Sequence, residues 1–204
     1  VPYIAGLQDI DYLTSDTVWE LREAPDHLLV LGAGPIGCEL AQALARLGCR
    51  VTLATHADRL LPREDSEVSE QVRLAFERQG ITLLTQYEPL AFSVAEQGQR
   101  CVFSSPAGER EVLFDRLLLA VGRSPNVEGI GLEALGIEIA ASGTVAVDDY
   151  LRTAVPGIYA CGDVAGPYQF THMASHQAWY ATVNALFGRF RKFKVDYSVV
   201  PWAT

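Results

Sequence analysis

Two rhythms of apolar residues alternate along the first part of this chain. HLLVLG, at 27–32, is a continuous apolar run closed by glycine, the pattern of a parallel strand buried on both faces. From Pro35 the period changes: Ile36, Leu40, Ala43, Leu44 and Leu47 recur at helical spacing, and Gly48 stops the run. CRVTLAT, at 49–55, predicts a second strand. DSEVSEQVRLAFERQG, at 65–80, predicts an amphipathic helix with Val68, Val72, Ala75 and Phe76 inward and Gly80 as its stop. ITLLTQY, at 81–87, predicts a third strand. The order β-α-β-α-β is that of a Rossmann-like, doubly wound α/β sheet, in its mononucleotide-binding half.

The rhythm then breaks. LAFSV, RCVFSS, REVLF and RLLLAV are short strand-like runs, parted by polar turns such as EQGQ and PAGE. They predict an antiparallel meander followed by a return strand. Residues 1–24 look irregular; within LTSDTVWELREAP the spacing predicts a short helix, capped by Ser15 or Asp16 and stopped before Pro25. Beyond GRSPN the chain is irregular again. GTVAVDD and GIYACGD predict two more strands, and THMASHQAWYATVNALFG predicts a long helix ending at Gly188.

The 204 residues are 49% apolar, enough to bury the core of one large or two modest domains. No apolar run approaches the ~18 residues of a membrane span, and no charged-then-apolar leader is visible. A formal charge of −9 disfavours nucleic acid and anionic membrane as partners. Cys38, Cys49, Cys101 and Cys161 have neither metal-site nor redox-pair spacing, which fits reduced packing residues in a cytoplasmic protein. His172 and His176 are four apart on the last helix, but no third ligand has suitable spacing, so no metal site is assigned.

GAGPIG, at 32–37, is a GxGxxG fingerprint between a strand and a helix. Gly32 allows the tight turn, Gly34 lets backbone approach a pyrophosphate, and Gly37 lets helix and strand pack closely. With Pro35 and Ile36 these residues form the candidate dinucleotide loop, at a helix N-terminus that favours an anion. An NAD site commonly has an acid at the end of the second strand; here that position is Thr55, followed by His56, Arg59 and Arg63. This reads either as a site that accepts NADP or as an ordinary basic loop.

Four ordered motifs, GAGPIGCELA, LLLAVGRSPN, TAVPGIYACGDVAG and VDYSVVPWAT, resemble the pyridine nucleotide-disulfide oxidoreductase family across essentially the whole chain. FTHMASHQAWYATVNALFG followed by VDYSVVPW is most similar to its mercuric-reductase-like branch. The resemblance implies FAD and NAD(P)H as cofactors and a homodimeric parent enzyme. It implies an exit segment of an FAD domain or linker at 1–24, an NAD(P)-binding domain at 25–123, and a resumed FAD-domain segment at 124–204. It places Asp163, after Gly162, on a ribityl hydroxyl of the flavin, and the backbone of Phe170 and Thr171 near the isoalloxazine ring. It places Glu39 against the nicotinamide carboxamide and Gly122 close to the nicotinamide half, with Arg123 and Asn126 steadying the crossing chain. On residue chemistry alone, Asp163 also reads as a turn acid, GRSP as a turn without ligand, and Glu39 as a helix-dipole acid.

The family's flavin fingerprint and redox cysteine pair belong before Val1, and its dimerisation domain after Thr204. The expectation is therefore an internal fragment that holds cofactor-binding but no catalytic residues and is inactive by itself. The other reading is a stand-alone dinucleotide-binding module without redox activity.

Overall fold

A computed structural model describes residues 2–204. Val1, the first residue of the expected 1–24 segment, lies outside them. The chain divides into two compact units, one ending at Gly122 and one running from Arg123 to Thr204.

The first unit is built on a parallel sheet. Its strands are β1 (Tyr12–Leu13), β2 (His27–Leu31), β3 (Arg50–Thr55), β4 (Thr82–Thr85) and, last in the unit, β8 (Arg116–Leu119), in the order β1-β8-β2-β3-β4. Helices α1 (Pro35–Arg46) and α2 (Ser66–Arg78) make the crossovers. Between β4 and β8 the chain forms the expected meander, β5 (Glu88–Ala95), β6 (Gly98–Ser105) and β7 (Gly108–Phe114), antiparallel and in the order β5-β6-β7.

The unbroken apolar run of β2 now has a cause. Leu28 and Val30 face the helical layer with Val51, Leu53, Leu118, Ala41 and Phe76. Leu29 and Leu31, one step out of phase, join Leu84, Leu117 and Leu119 against Phe92, Phe103 and Phe114 of the meander. With both faces covered, Leu28–Leu31 are all apolar, and the strand's one polar residue, His27 at its start, is buried against Thr52 Oγ1.

The apolar spacing locates part of the buried face of each helix. In α1 the buried positions are Gly37, Cys38 and Ala41, with Leu40, Leu44 and Ala45 packed beside them, while Ala43 is exposed and Leu47 is 73% exposed. Gly37 sets that phase, because the helix touches the sheet turn there. In α2, Phe76 is buried and Val72 packs beside the core, but Ser69 takes the place expected for Val68. Ser69 Oγ donates to the Leu61 carbonyl at 3.4 Å, which makes its burial tolerable.

The helix expected within LTSDTVWELREAP is only a 3-10 turn, Val18–Glu20. Val18 is buried and Leu21, just after the turn, packs on the same core cluster, while Trp19 is exposed.

In the second unit GTVAVDD and GIYACGD are not strands. Each takes part in one isolated bridge, Ile139 to Val145 and Arg152 to Tyr159. Tight local pairings replace a ladder: Ala140 N–H donates to Thr144 O at 2.8 Å, and Ala160 N–H donates to Leu151 O at 3.1 Å. The long helix forms as expected, α3 (Thr171–Phe187). Its buried residues are Met173, Gln177, Ala181 and Asn184, a single stripe four and three residues apart. No helix among the described residues is long and apolar enough to cross a membrane.

Candidate functional site

In the first unit the three fingerprint glycines answer to different neighbours. Gly32 has φ 103°, and a Cβ there would lie 2.3 Å from the Ala120 carbonyl oxygen. A Cβ on Gly37 would lie 2.0 Å from the Gly32 carbonyl oxygen. The fold itself demands both. Gly34 has φ −74° and ψ −179°, extended backbone open to any residue, and a Cβ there would meet no atom within 4 Å. Pro35 follows it at the first turn of α1 and favours that extended form. No side chain caps α1 at Gly34, so the opening N–H groups face out toward whatever fills the space.

The strand register fixes what lies beside this turn. Leu31 pairs with Ala54, and Gly32 N–H donates to Ala54 O at 2.8 Å, which sets Thr55 next to the fingerprint at the carboxyl ends of the strands. Thr55 is buried, and its Oγ1 accepts from Ala57 N–H at 3.2 Å. His56 and Arg63 are exposed. Arg59 is turned into its own loop, where Nη2 donates to Pro62 O at 3.1 Å and Glu64 O at 3.3 Å. Glu39 is exposed, in the second turn of α1, beyond the reach of the dipole effect. Ile36 is half-buried and Pro35 exposed. Gly122, at the end of the unit, has φ 120° and no neighbour within 4 Å of a notional Cβ.

Two buried groups of the first unit have shifted pKa values. Burial, with the nearby Arg50 charge, lowers the His27 pKa below its ordinary 6.5; its Nε2 lies 2.9 Å from Thr52 Oγ1. Burial pushes the Cys38 thiol up to about 12, and its Sγ donates to Ala33 O.

In the second unit Asp163 sits in a 3-10 turn, Gly162–Val164. Gly162 is buried with φ 79°, and a Cβ on it would press to 3.2 Å from Ala174 Cβ. The Asp163 carboxylate is about half exposed and accepts no hydrogen bond from its own turn; Arg123 Nη1 stands 3.8 Å away. The two motif residues are thus neighbours, and the acid does not cap local backbone. Asn126 is exposed. Phe170 is the residue before α3, stacked on His172 with centroids 5.3 Å apart, and Thr171 opens the helix. His176 Nε2 lies 2.9 Å from Asp196 O. Cys161 packs beside Leu151, Ala181 and Val195.

One participant was not foreseen. Gln177 is fully buried; its Oε1 accepts from Gly162 N–H at 2.5 Å, and its Nε2 donates to Gly166 O at 2.7 Å and Tyr197 Oη at 2.8 Å. The available signal was an amide on the same stripe as Met173 and Ala181, where a polar side chain stays only if fully bonded.

Comparison with known proteins identifies the family. The chain is 41% identical over 203 residues to mercuric reductase of Streptomyces lividans, all of this chain against 42% of that protein. It is 37% identical over 185 residues to dihydrolipoyl dehydrogenase of Mycobacterium leprae (strain TN), covering 90% of this chain and 39% of the relative. The chain thus spans about two fifths of the length of these curated relatives. Among solved structures, the HOCl-induced flavoprotein disulfide reductase RclA from Escherichia coli, as its Cu(II) complex, superposes with a TM-score of 0.84 at 30% identity, over 94% of this chain and 44% of that one. The family model for pyridine nucleotide-disulphide oxidoreductases matches residues 2–178, the turn at Gly34 and the turn at Asp163 included, and this chain belongs to that family.

Proposed function

We propose that the first unit binds NAD(P)H at Gly32–Gly37 and that the second contributes Gly162 and Asp163 to an FAD site, as part of a flavin-dependent oxidoreductase. Gly34 carries the proposal. The protein crowds the other two fingerprint glycines but leaves the space over Gly34 open, so the absence of a side chain there is explained by a ligand that lies against the backbone. When bound, the nicotinamide and the flavin supply hydride transfer, with electrons passing on to a disulfide, a metal ion or a related acceptor. This chain's residues do the holding: α1 presents N–H groups to the pyrophosphate, Glu39 and Gly122 flank the nicotinamide half, and Phe170 and Thr171 offer backbone to the flavin. Arg123, paired with Asp163, orients that carboxylate toward a ribityl hydroxyl. The chain by itself binds nucleotide without completing the reaction.

Thr55 places no carboxylate where a 2′-phosphate would sit. Since Arg59 Nη2 is held by two backbone carbonyls, the exposed side chains of His56 and Arg63 are the ones left to meet that phosphate. Titration of the protein with NADH and with NADPH, followed by nucleotide fluorescence at two salt concentrations, tests the site. NADPH binding that weakens with salt supports it. Failure to bind either nucleotide overturns it.

A further inference from the structure

The exposed acid of the second unit is held from behind by a buried amide. Gln177 makes three hydrogen bonds at 0% exposure, and two of them go to backbone groups on either side of Asp163. Its carbonyl takes Gly162 N–H and its amide nitrogen gives to Gly166 O, so one side chain of α3 closes both ends of the segment Gly162–Gly166. These two bonds fix the amide's orientation, because Gly162 N–H can only donate and Gly166 O can only accept; the nitrogen end also donates to Tyr197 Oη at 2.8 Å. The contact between Gly162 and Ala174 seats the same turn on the helix one turn earlier.

We infer that Gln177 is a positioning residue for FAD binding: it sets the turn that presents the Asp163 carboxylate outward. The inference rests on the reading of Asp163 as a flavin ligand. Asn184 is the internal control. It is a buried amide on the same stripe, equally bonded, but it holds Tyr150 O and the backbone of Phe193, away from Asp163 in sequence and in bonding.

The test measures FAD affinity, NAD(P)H affinity and the unfolding midpoint for the protein as its gene encodes it, and for four variants. Asp163→Ala is expected to lose FAD affinity; if it does not, the flavin reading of Asp163 fails. Given that loss, Gln177→Leu is expected to weaken FAD by about tenfold, the size of one positioned hydrogen bond, with NAD(P)H affinity unchanged. Asn184→Leu is expected to lower the unfolding midpoint similarly and leave FAD affinity within about twofold. If Gln177→Leu does not fold, Gln177→Glu keeps the acceptor for Gly162 and removes the donor to Gly166; it is expected to lose FAD affinity by an intermediate factor. Equal effects of the Gln177 and Asn184 variants on FAD would overturn the inference, as would an unchanged FAD affinity in both Gln177 variants.

Discussion

Replacing Gly34 with alanine separates what the fold needs from what a ligand needs. The backbone there is extended, and the added Cβ meets no atom within 4 Å, so nothing in the protein opposes it. Two small effects act on stability. Alanine restricts the unfolded chain, which favours the fold by about 0.4–1 kcal/mol. As the residue flanking α1 it is a poorer helix cap than glycine, by roughly 0.5 kcal/mol. They nearly cancel, and the unfolding free energy is expected to move by less than about 1 kcal/mol. A pyrophosphate lying on this turn meets the new methyl instead. Loss of that approach is expected to weaken nucleotide binding by at least about tenfold, or ~1.4 kcal/mol. Gly37→Ala is the opposite case. Its Cβ would stand 2.0 Å from the Gly32 carbonyl oxygen, backbone that yields only if α1 shifts on the sheet. A destabilisation of about 1–3 kcal/mol is expected there. Chemical unfolding followed by circular dichroism gives the first quantity, and nucleotide fluorescence titration the second. If Gly34→Ala binds NADH and NADPH as tightly as the unaltered protein, the open space over Gly34 is not a nucleotide cradle and the reasoning is refuted.

His27 is buried with a pKa held below 6.5, so its neutral form belongs to the fold. The associated stability is fully present above 6.5 and is lost as the pH falls from there toward the lowered folded value; thermal melts across that interval should show a slope that His27→Gln flattens. Burial pushes the Cys38 and Cys101 thiols up to about 12, and Cys49 is buried as well, so alkylation of the native protein should reach half-buried Cys161 first, as read by mass spectrometry of peptides. His56→Ala combined with Arg63→Ala should lower NADPH affinity by roughly tenfold at low salt while sparing NADH, and a matching fall for both nucleotides would remove these residues from the 2′-phosphate. Arg123→Ala should change stability by less than about 1 kcal/mol, because its pair with Asp163 is long and half exposed, while weakening FAD binding in a direct titration.

The first unit was legible because its chemistry is periodic. A strand buried on both faces writes itself as an apolar run, and a crossover helix ends on glycine; Leu28–Leu31 and Gly48 say so without help. The meander showed itself through polar turns between short runs. Helix phase was less legible. The spacing of Val68, Val72, Ala75 and Phe76 is helical, but it cannot say that a serine bonded to the Leu61 carbonyl replaces Val68 against the core. Nor does it weigh Gly37, whose contact with Gly32 rotates α1 away from Leu47.

The second unit resisted reading for a different reason. GTVAVDD and GIYACGD have strand composition, yet their backbone groups are met mostly by local backbone pairings, with Gly162 N–H taken by Gln177 of α3. A helix that buries Gln177 and Asn184 supplies donors and acceptors to irregular backbone, in the way a neighbouring strand would supply them to a ladder. Hydropathy treats both amides as surface residues, so the feature that organises the unit is the one that pattern reading discards. The same logic separates the two candidate turns. At Gly34 the protein leaves space and donors and nothing behind the residue constrains it; at Asp163 the acid is exposed while Gly162 and Gly166 are tied down. A carboxylate meant only to cap its own turn would be bonded to that turn. This one is not bonded to its turn and stands 3.8 Å from Arg123 Nη1, over backbone that Gln177 ties at Gly162 and Gly166, and the FAD affinity of Asp163→Ala decides whether that exposed acid is a ligand.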